Sequence, residues 1–302
     1  MSATEFVLSV TSASYDAIIR GNNTLFTRNG ESIVIHPSNG RGFQVVVFDE
    51  ATLKVLDSIV FDGLQDLSVL ENFASYVNEI PTGRIVAVAT RDCVCAGSKL
   101  PESVLRAINS IGGMKAGDVH GRIAWSFLGR KGASNNPYLI KESIGRNTAS
   151  VASKLVSVTA SSAGCLIGNF AFVTVNGIRC KLTQKRGFNV VVLDDFVNIH
   201  NTAAFDGYGK ATEWDDFANY IEKLAPNTSV IIAVMDTAAS NSLPSNVISA
   251  IQSIGGANGP KIGFRYSWAI IGRKGASIGS PFVKEAISST GAATVSLVLN
   301  SQ

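Results

Sequence analysis

Two short runs, Phe43 to Phe48 (FQVVVF) and Phe188 to Leu193 (FNVVVL), are apolar at every position but one, and acidic residues follow each. β-Branched residues in such a run predict a strand buried in a sheet. Val55 to Phe61, Arg84 to Thr90 and Ile123 to Leu128 read as further strands. Leu67, Leu70, Phe73, Val77 and Ile80 recur at helical spacing and mark one apolar stripe of an amphipathic helix. Trp214, Phe217, Ile221 and Leu224 repeat that stripe, with Thr212 as its expected N-cap. A second helix is expected to begin at Pro101 and at Pro244, where proline suits the first turn, and to stop at the Gly-Gly pairs. A short third helix is expected after Pro137 and Pro281. Strands and helices interleave without strict alternation, which predicts an α+β domain, a compact sandwich of twisted β-sheet and helices, over a doubly wound parallel sheet.

The pattern occurs twice. Arg41-Gly42-Phe43 returns as Arg186-Gly187-Phe188, and Phe61-Asp62-Gly63 as Phe205-Asp206-Gly207. Ser110-Ile111-Gly112-Gly113 returns as Ser253-Ile254-Gly255-Gly256. Gly129-Arg130-Lys131-Gly132-Ala133-Ser134 returns as Gly272 through Ser277. The offsets drift from 145 to 143, as single-residue deletions in loops would produce. A solenoid unit is only about 20–50 residues long, so each copy is a whole domain. The expected domains are 1–150 and 151–302, with no Gly/Ser- or Pro-rich linker between them.

Composition narrows the functional classes. The chain has 302 residues, 46% hydrophobic and 16% charged, enough to form packed domains rather than a disordered chain. Its 26 basic and 23 acidic residues leave a formal charge of +3, too small to hold nucleic acid through phosphate neutralisation. No apolar run approaches the ~20 residues that a spanning helix needs. Met1-Ser2-Ala3-Thr4-Glu5 is not a basic segment followed by an apolar stretch, so no signal peptide is expected. Asn22-Asn23-Thr24 and Asn227-Thr228-Ser229 are short sequons of a kind that also arises by chance.

Candidate chemistry is sparse. Cys93 and Cys95 are too close in sequence for a relaxed disulfide, whereas Cys165 and Cys180 could meet across neighbouring strands. His36, His120 and His200 are scattered, so neither a metal site nor a repeated nucleophile–histidine site is expected. The Gly-Arg-Lys-Gly block lacks the spacing of a phosphate loop and reads as a tight turn with solvated cations. Asp49-Glu50, Asp194-Asp195 and Asp215-Asp216 are adjacent pairs whose side chains diverge, so no glycosidase pair follows from them. No enzyme activity and no cofactor are expected.

A small set of charged residues does repeat beside the apolar runs. Arg41 and Arg186 precede the first buried strand, Asp92 and Asp236 end a later one, and Arg122 and Arg265 stand three residues before Trp125 and Trp268. Strand ends gather at the rim of a sheet, where loops form pockets. Two guanidinium forks around a carboxylate suit a neutral polyhydroxyl ligand: the carboxylate accepts from hydroxyls and the arginines donate to oxygens. A salt-bridge network that pins the loops is the competing reading. The two tryptophans suit a core position or a stacking platform for a sugar face.

These motifs, taken in order with Ile-Gly-Gly, Arg-x-x-Trp and Ser280-Pro281-Phe282, resemble the interleukin-like EMT inducer domain over nearly all of both copies. That domain occurs in the pancreatic-derived factor family of secreted proteins and in the stem of the protein O-mannose N-acetylglucosaminyltransferase. The resemblance implies a compact sheet-and-helix fold and, from the stem, a pocket for β-linked N-acetylglucosamine. It places sugar contacts at Arg41, Asp92 and Arg122, and at Arg186, Asp236 and Arg265. The family usually has Asp after the second arginine, where this chain has Ile123 and Tyr266, so a different ligand preference is implied. The cysteines that staple the secreted members are largely missing, which argues against a cytokine-like role.

The function expected from the sequence is therefore a lectin with one sugar site per repeat, for N-acetylglucosamine-type or related terminal sugars. A signalling or adhesion module that binds a protein partner is the alternative, and an enzyme acting on glycans a third reading. Glycans or glycoproteins are the expected partners, a homo-oligomer stays open, and extracellular or cell-surface action is favoured.

Overall fold

The computed structural model describes residues 6–35, 37, 40–64, 66, 68–95, 99–133, 141–183 and 185–300. Over these residues the chain is mostly β, with five α-helices. It divides into two units, Phe6–Leu155 and Val156–Ser301.

In the first unit, β1 (Phe6–Ser14) runs into a single-turn helix, α1 (Tyr15–Ile18), followed by β2 (Leu25–Arg28) and β3 (Glu31–Ser32). The central strands are β4 (Gly42–Phe48), β5 (Val55–Phe61), β6 (Ile85–Asp92), β7 (Ala124–Arg130) and β8 (Lys141–Gly145). Their antiparallel order is β5-β4-β6-β7-β8. β1 pairs antiparallel with β2 and with the first half of β9 (Thr148–Gly164), and its last two residues pair parallel to the end of β6, Ser14 opposite Asp92. Every residue of β4 is buried, which accounts for the apolar run, and its one polar side chain, Gln44, donates to the Gly40 carbonyl at 2.8 Å.

Helices α2 (Ser68–Glu79) and α3 (Glu102–Ser110) cover one face of this sheet. Phe43, Val45 and Val47 of β4 pack there with Leu70, Phe73 and Val77 of α2 and Val104 and Ile108 of α3. The Phe43 and Phe73 rings stack at 4.4 Å. Truncating a fully buried ring such as Phe73 to alanine costs about 3–5 kcal/mol. Leu67, at the head of the predicted stripe, lies outside the described residues.

The second unit repeats the plan with β10 (Phe170–Val175), β11 (Ile178–Arg179), β12 (Gly187–Leu193), β13 (Ile199–Phe205), α4 (Thr212–Glu222), β14 (Ser229–Asp236), α5 (Ser245–Gln252), β15 (Ser267–Arg273), β16 (Lys284–Ser288) and β17 (Ala293–Asn300). The strand order is β13-β12-β14-β15-β16, and the end of β9 pairs parallel to β14, Gly164 opposite Asp236. Its second sheet face is also covered: Val191, Ile231 and Ile271 pack against Val158, Val173 and Leu297.

Several local expectations need correction. Thr212 is the first helical residue of α4, and the N-cap position belongs to Ala211, which has no side-chain acceptor to offer. Pro101 and Pro244 sit at the N-cap, one residue before the helix proper. No helix follows Pro281: a turn leads into β16, whose register with β15 (Trp268 opposite Ile287) requires extended backbone. Pro137 lies outside the described residues. The cations of the Gly-Arg-Lys-Gly block are held by the protein rather than left in solvent, the arginines buried and the lysines partly so. Arg130 and Arg273 are buried, and Arg130 Nη1 donates to the Gly83 carbonyl at 2.9 Å. Lys131 Nζ donates to the Val77 carbonyl, one of the last of α2, at 2.7 Å and to Ser110 Oγ at 2.9 Å. The ends of helices leave carbonyls without partners, and the lysine satisfies one of them. All four cysteines are thiols, so the pairing left open for Cys165 and Cys180 is not formed.

Candidate functional site

In each copy the arginine before β4 or β12 is positioned by a glycine. Gly42 and Gly187 have φ of +99° and +90°, and a Cβ on either would run into the carbonyl of Phe61 or Phe205. That close approach brings the arginine against the next aspartate. Arg41 Nε and Nη2 donate to Asp62 at 2.9–3.1 Å, and Arg186 Nε and Nη2 donate to Asp206 at 2.9–3.2 Å. These are bidentate pairs, which fix the guanidinium plane as well as its place. The hydrogen bonds to the aspartates hold both arginine pKa values above the ordinary one, against the opposing effect of burial. For the Asp206 carboxyl, burial acts upward, but the Arg186 bond and the Gly209 N–H outweigh it and place it below the usual value.

Asp62 and Asp206 were missed as site residues, although Phe-Asp-Gly repeats and was visible as a marker of the duplication. The guanidinium forks are therefore engaged by these two carboxylates, and not by Asp92 and Asp236.

Asp92 and Asp236 are the last residues of β6 and β14, and both have left-handed backbone, φ +62° and +63°. Among the described residues neither carboxylate has a hydrogen-bond or ion-pair partner. Both lie close enough to the arginine of their copy to raise its pKa through space. The same uncommon backbone conformation thus recurs at the equivalent aspartate of both copies.

The first copy gathers its three predicted residues. Arg41, Asp92 and Arg122 line an open pocket of about 490 Å³ with Tyr15, Leu64, Cys93 and Gly121. The Arg122 guanidinium lies 4.3 Å over the half-exposed Tyr15 ring, with Nη1 3.9 Å from Asp16.

The second copy uses different aromatic residues. Arg186 lies 4.9 Å over the ring of Tyr208, and Arg265 lies 4.7 Å over that of Phe264. The two rings are 6.1 Å apart and both exposed, at 43% and 44%. Arg186, Tyr208, Phe264 and Arg265 thus form one continuous ladder. Asp236 is tied to it because Arg265 N donates to Thr237 Oγ1 at 3.0 Å. Tyr15, Tyr208 and Phe264 were not read from the sequence, because none of them repeats.

Trp125 and Trp268 are core residues. Both are fully buried, and each indole Nε1 donates to a glutamate, Glu142 at 2.9 Å and Glu285 at 2.8 Å. The same glutamates accept backbone N–H groups of the loop after the second helix, from Met114 and Lys115 and from Ala257 and Asn258. They hold the chain that leads toward Arg122 and Arg265.

A larger groove of about 730 Å³ runs along α4 and α5, lined by Asp215, Glu222, Asn246 and Lys274 among others. Asn246 donates to Asp215 and Lys274 to Ser253, so these polar groups are partly occupied with each other, and none of the six predicted site residues lies there.

A sequence profile described as interleukin-like EMT inducer matches residues 41–133 and 186–276, together more than half of the chain. None of the curated proteins matches it. The two matched segments contain all six predicted site residues.

Proposed function

We propose, on the premise that the chain belongs to the interleukin-like EMT inducer family, that it is a non-enzymatic lectin. Each copy, read as an α+β sandwich, carries one site for N-acetylglucosamine-type or related terminal sugars. The observation that carries this reading is the unpartnered aspartate at left-handed φ in both copies, beside an arginine fixed by a second aspartate and near a partly exposed aromatic ring. The free carboxylate accepts from sugar hydroxyls, the unused N–H groups of the arginines donate to ring or acetamido oxygens, and the ring face covers the apolar C–H side.

A single site of this kind binds weakly, since few contacts offset the ordering of ligand and side chains. Two sites on one chain raise avidity for a multivalent surface by about 10²–10⁴ when both engage. No helix among the described residues is long and apolar enough to cross a membrane.

The test is a glycan array with the folded wild type, Arg41→Ala with Arg186→Ala, and Asp92→Ala with Asp236→Ala. The wild type is expected to bind, and each double variant to lose at least about tenfold in affinity, the effect of removing charge-assisted hydrogen bonds. A folded wild type that binds no glycan ends the lectin reading. Capture of a protein partner that competing sugars do not displace would support the adhesion module instead.

A further inference from the structure

Resting on the sugar-binding reading, we infer that the second copy's site takes a sugar that carries a carboxylate, whereas the first copy's site takes neutral sugars.

The two outer arginines differ in their partners. Arg122 has the carboxylate of Asp16 within 3.9 Å and lies on Tyr15. Arg265 has no carboxylate partner among the described residues. The position that matches Tyr15, next after the residue paired with the strand-end aspartate, is Cys165, and Asp16 is matched by Leu166. The cation that is partly neutralised in the first copy is therefore unneutralised in the second.

Stacking also orients it. A guanidinium stacked on the Phe264 face leaves its N–H edge free of the ring, and that edge suits bidentate capture of a carboxylate. Counted together, Arg186, Arg265 and Lys185 balance Asp206, Asp236 and Glu213 in the second site. Arg186 is held by Asp206, Lys185 acts on Asp206 from nearby, and Glu213 accepts the Asp206 backbone N–H. Asp236 stays available for hydroxyls. The first copy offers two arginines, Arg41 and Arg122, against three carboxylates, Asp62, Asp92 and Asp16, which repels an anion.

The ladder supplies the surface for such a ligand. Tyr208 and Phe264 are adjacent and exposed, and their counterparts in the first copy are Leu64 and Gly121, which have no ring. A sugar ring on Tyr208 and Phe264 places its carboxylate over the edge of Arg265 and its hydroxyls toward Asp236.

The test is an NMR titration of the full chain with methyl β-D-glucuronide, methyl β-D-glucoside and N-acetylglucosamine, following the ring signals of Tyr208, Phe264 and Tyr15. The glucuronide is expected to shift Tyr208 and Phe264 at concentrations about tenfold below those the glucoside needs, and to shift Tyr15 less readily than the glucoside does. High salt should weaken the glucuronide more than the glucoside. Arg265→Gln should bring the glucuronide-to-glucoside ratio at Tyr208 to about one. Equal affinity of the two glycosides at Tyr208 in the wild type overturns the inference, and this comparison needs no variant to fold. If N-acetylglucosamine still shifts Tyr15, the sugar-binding reading survives that result. Silence toward all three sugars overturns both.

Discussion

The turns at residues 120–123 and 263–266 occupy the same place in the two copies and are built in opposite senses. In both, the backbone N–H of the fourth residue donates to the carbonyl of the first, from Ile123 to His120 and from Tyr266 to Gly263. In the first copy the left-handed residue is the first central one, Gly121, with φ +52°. In the second it is the next residue, Arg265, with φ +61°. Positive φ at the first central position belongs to type II′ turns and at the second to type II turns, which are mirror images of each other. Left-handed backbone is unfavourable for arginine, so the surroundings must hold it.

Two neighbours do so. Thr237 Oγ1 accepts the Arg265 N–H, and Gly164 makes room for the Arg265 carbonyl, with which any Cβ would collide. The first copy has Cys93 and Ser14 at these positions. Sulfur is a weak acceptor, and Ser14 serves instead as the N-cap of α1, accepting from Ala17 N at 3.4 Å. The duplicated turn thus takes two conformations, set by the place of its glycine and by residues outside it, and its arginine packs on a different ring in each.

The largest expected effect is at Gly164. Gly164→Ala forces Cβ against the Arg265 carbonyl, and the second domain should lose about 1–3 kcal/mol together with its ligand response. Denaturant unfolding followed residue by residue with hydrogen exchange measures this, and an unchanged second domain would separate the turn conformation from Gly164. Thr237→Val removes the acceptor for the Arg265 amide and should cost about 1 kcal/mol. Cys93→Thr in the first copy should change little, because Gly121 already carries the left-handed conformation.

A smaller effect is expected with acid. The Asp206 carboxyl lies below its usual value in the folded state, so its contribution is full above the unfolded value of about 3.9 and is lost as pH falls through the lower folded value. The pair with Arg186 is partly solvent-exposed, so the loss should stay under about 1 kcal/mol, and Asp206→Asn should remove that component from the acid limb of the stability curve. Smallest is Ser14→Ala, whose long cap bond on a single helical turn should be worth only about 0.5 kcal/mol.

Much of the central sheet and its covering helices was legible, because fully buried strands and an amphipathic stripe have strong periodic signals. Phe43 to Phe48 and the stripe through Leu70, Phe73 and Val77 are where the pattern placed them. β1 and β9 were not legible. Their sequences, FVLSVTSAS and TASVASKLVSVTASSAG, alternate small polar with small apolar residues, and the contrast between faces is too low to announce a strand. Yet buried Ser12 and Ser162 in these strands each accept the N–H of a core tryptophan, Trp125 and Trp268.

At the site, repetition found the three charged residues of each copy and misjudged their partners. Asp62 and Asp206 were seen as landmarks, since nothing in their spacing shows that Gly42 and Gly187 bring strand against strand. The aromatic residues were invisible for the opposite reason. Tyr15, Tyr208 and Phe264 differ between the copies, and a filter for what repeats discards what distinguishes.

The left-handed aspartates have a kinetic consequence. Asp92 and Asp236 each end a strand locked on both sides, by β4 and β1 in one unit and by β12 and β9 in the other. Their main-chain placement is settled before any ligand arrives. Binding need not wait for a loop to order, so association should approach the rate of orientation-limited encounter, and differences among ligands should appear mainly in how quickly they leave.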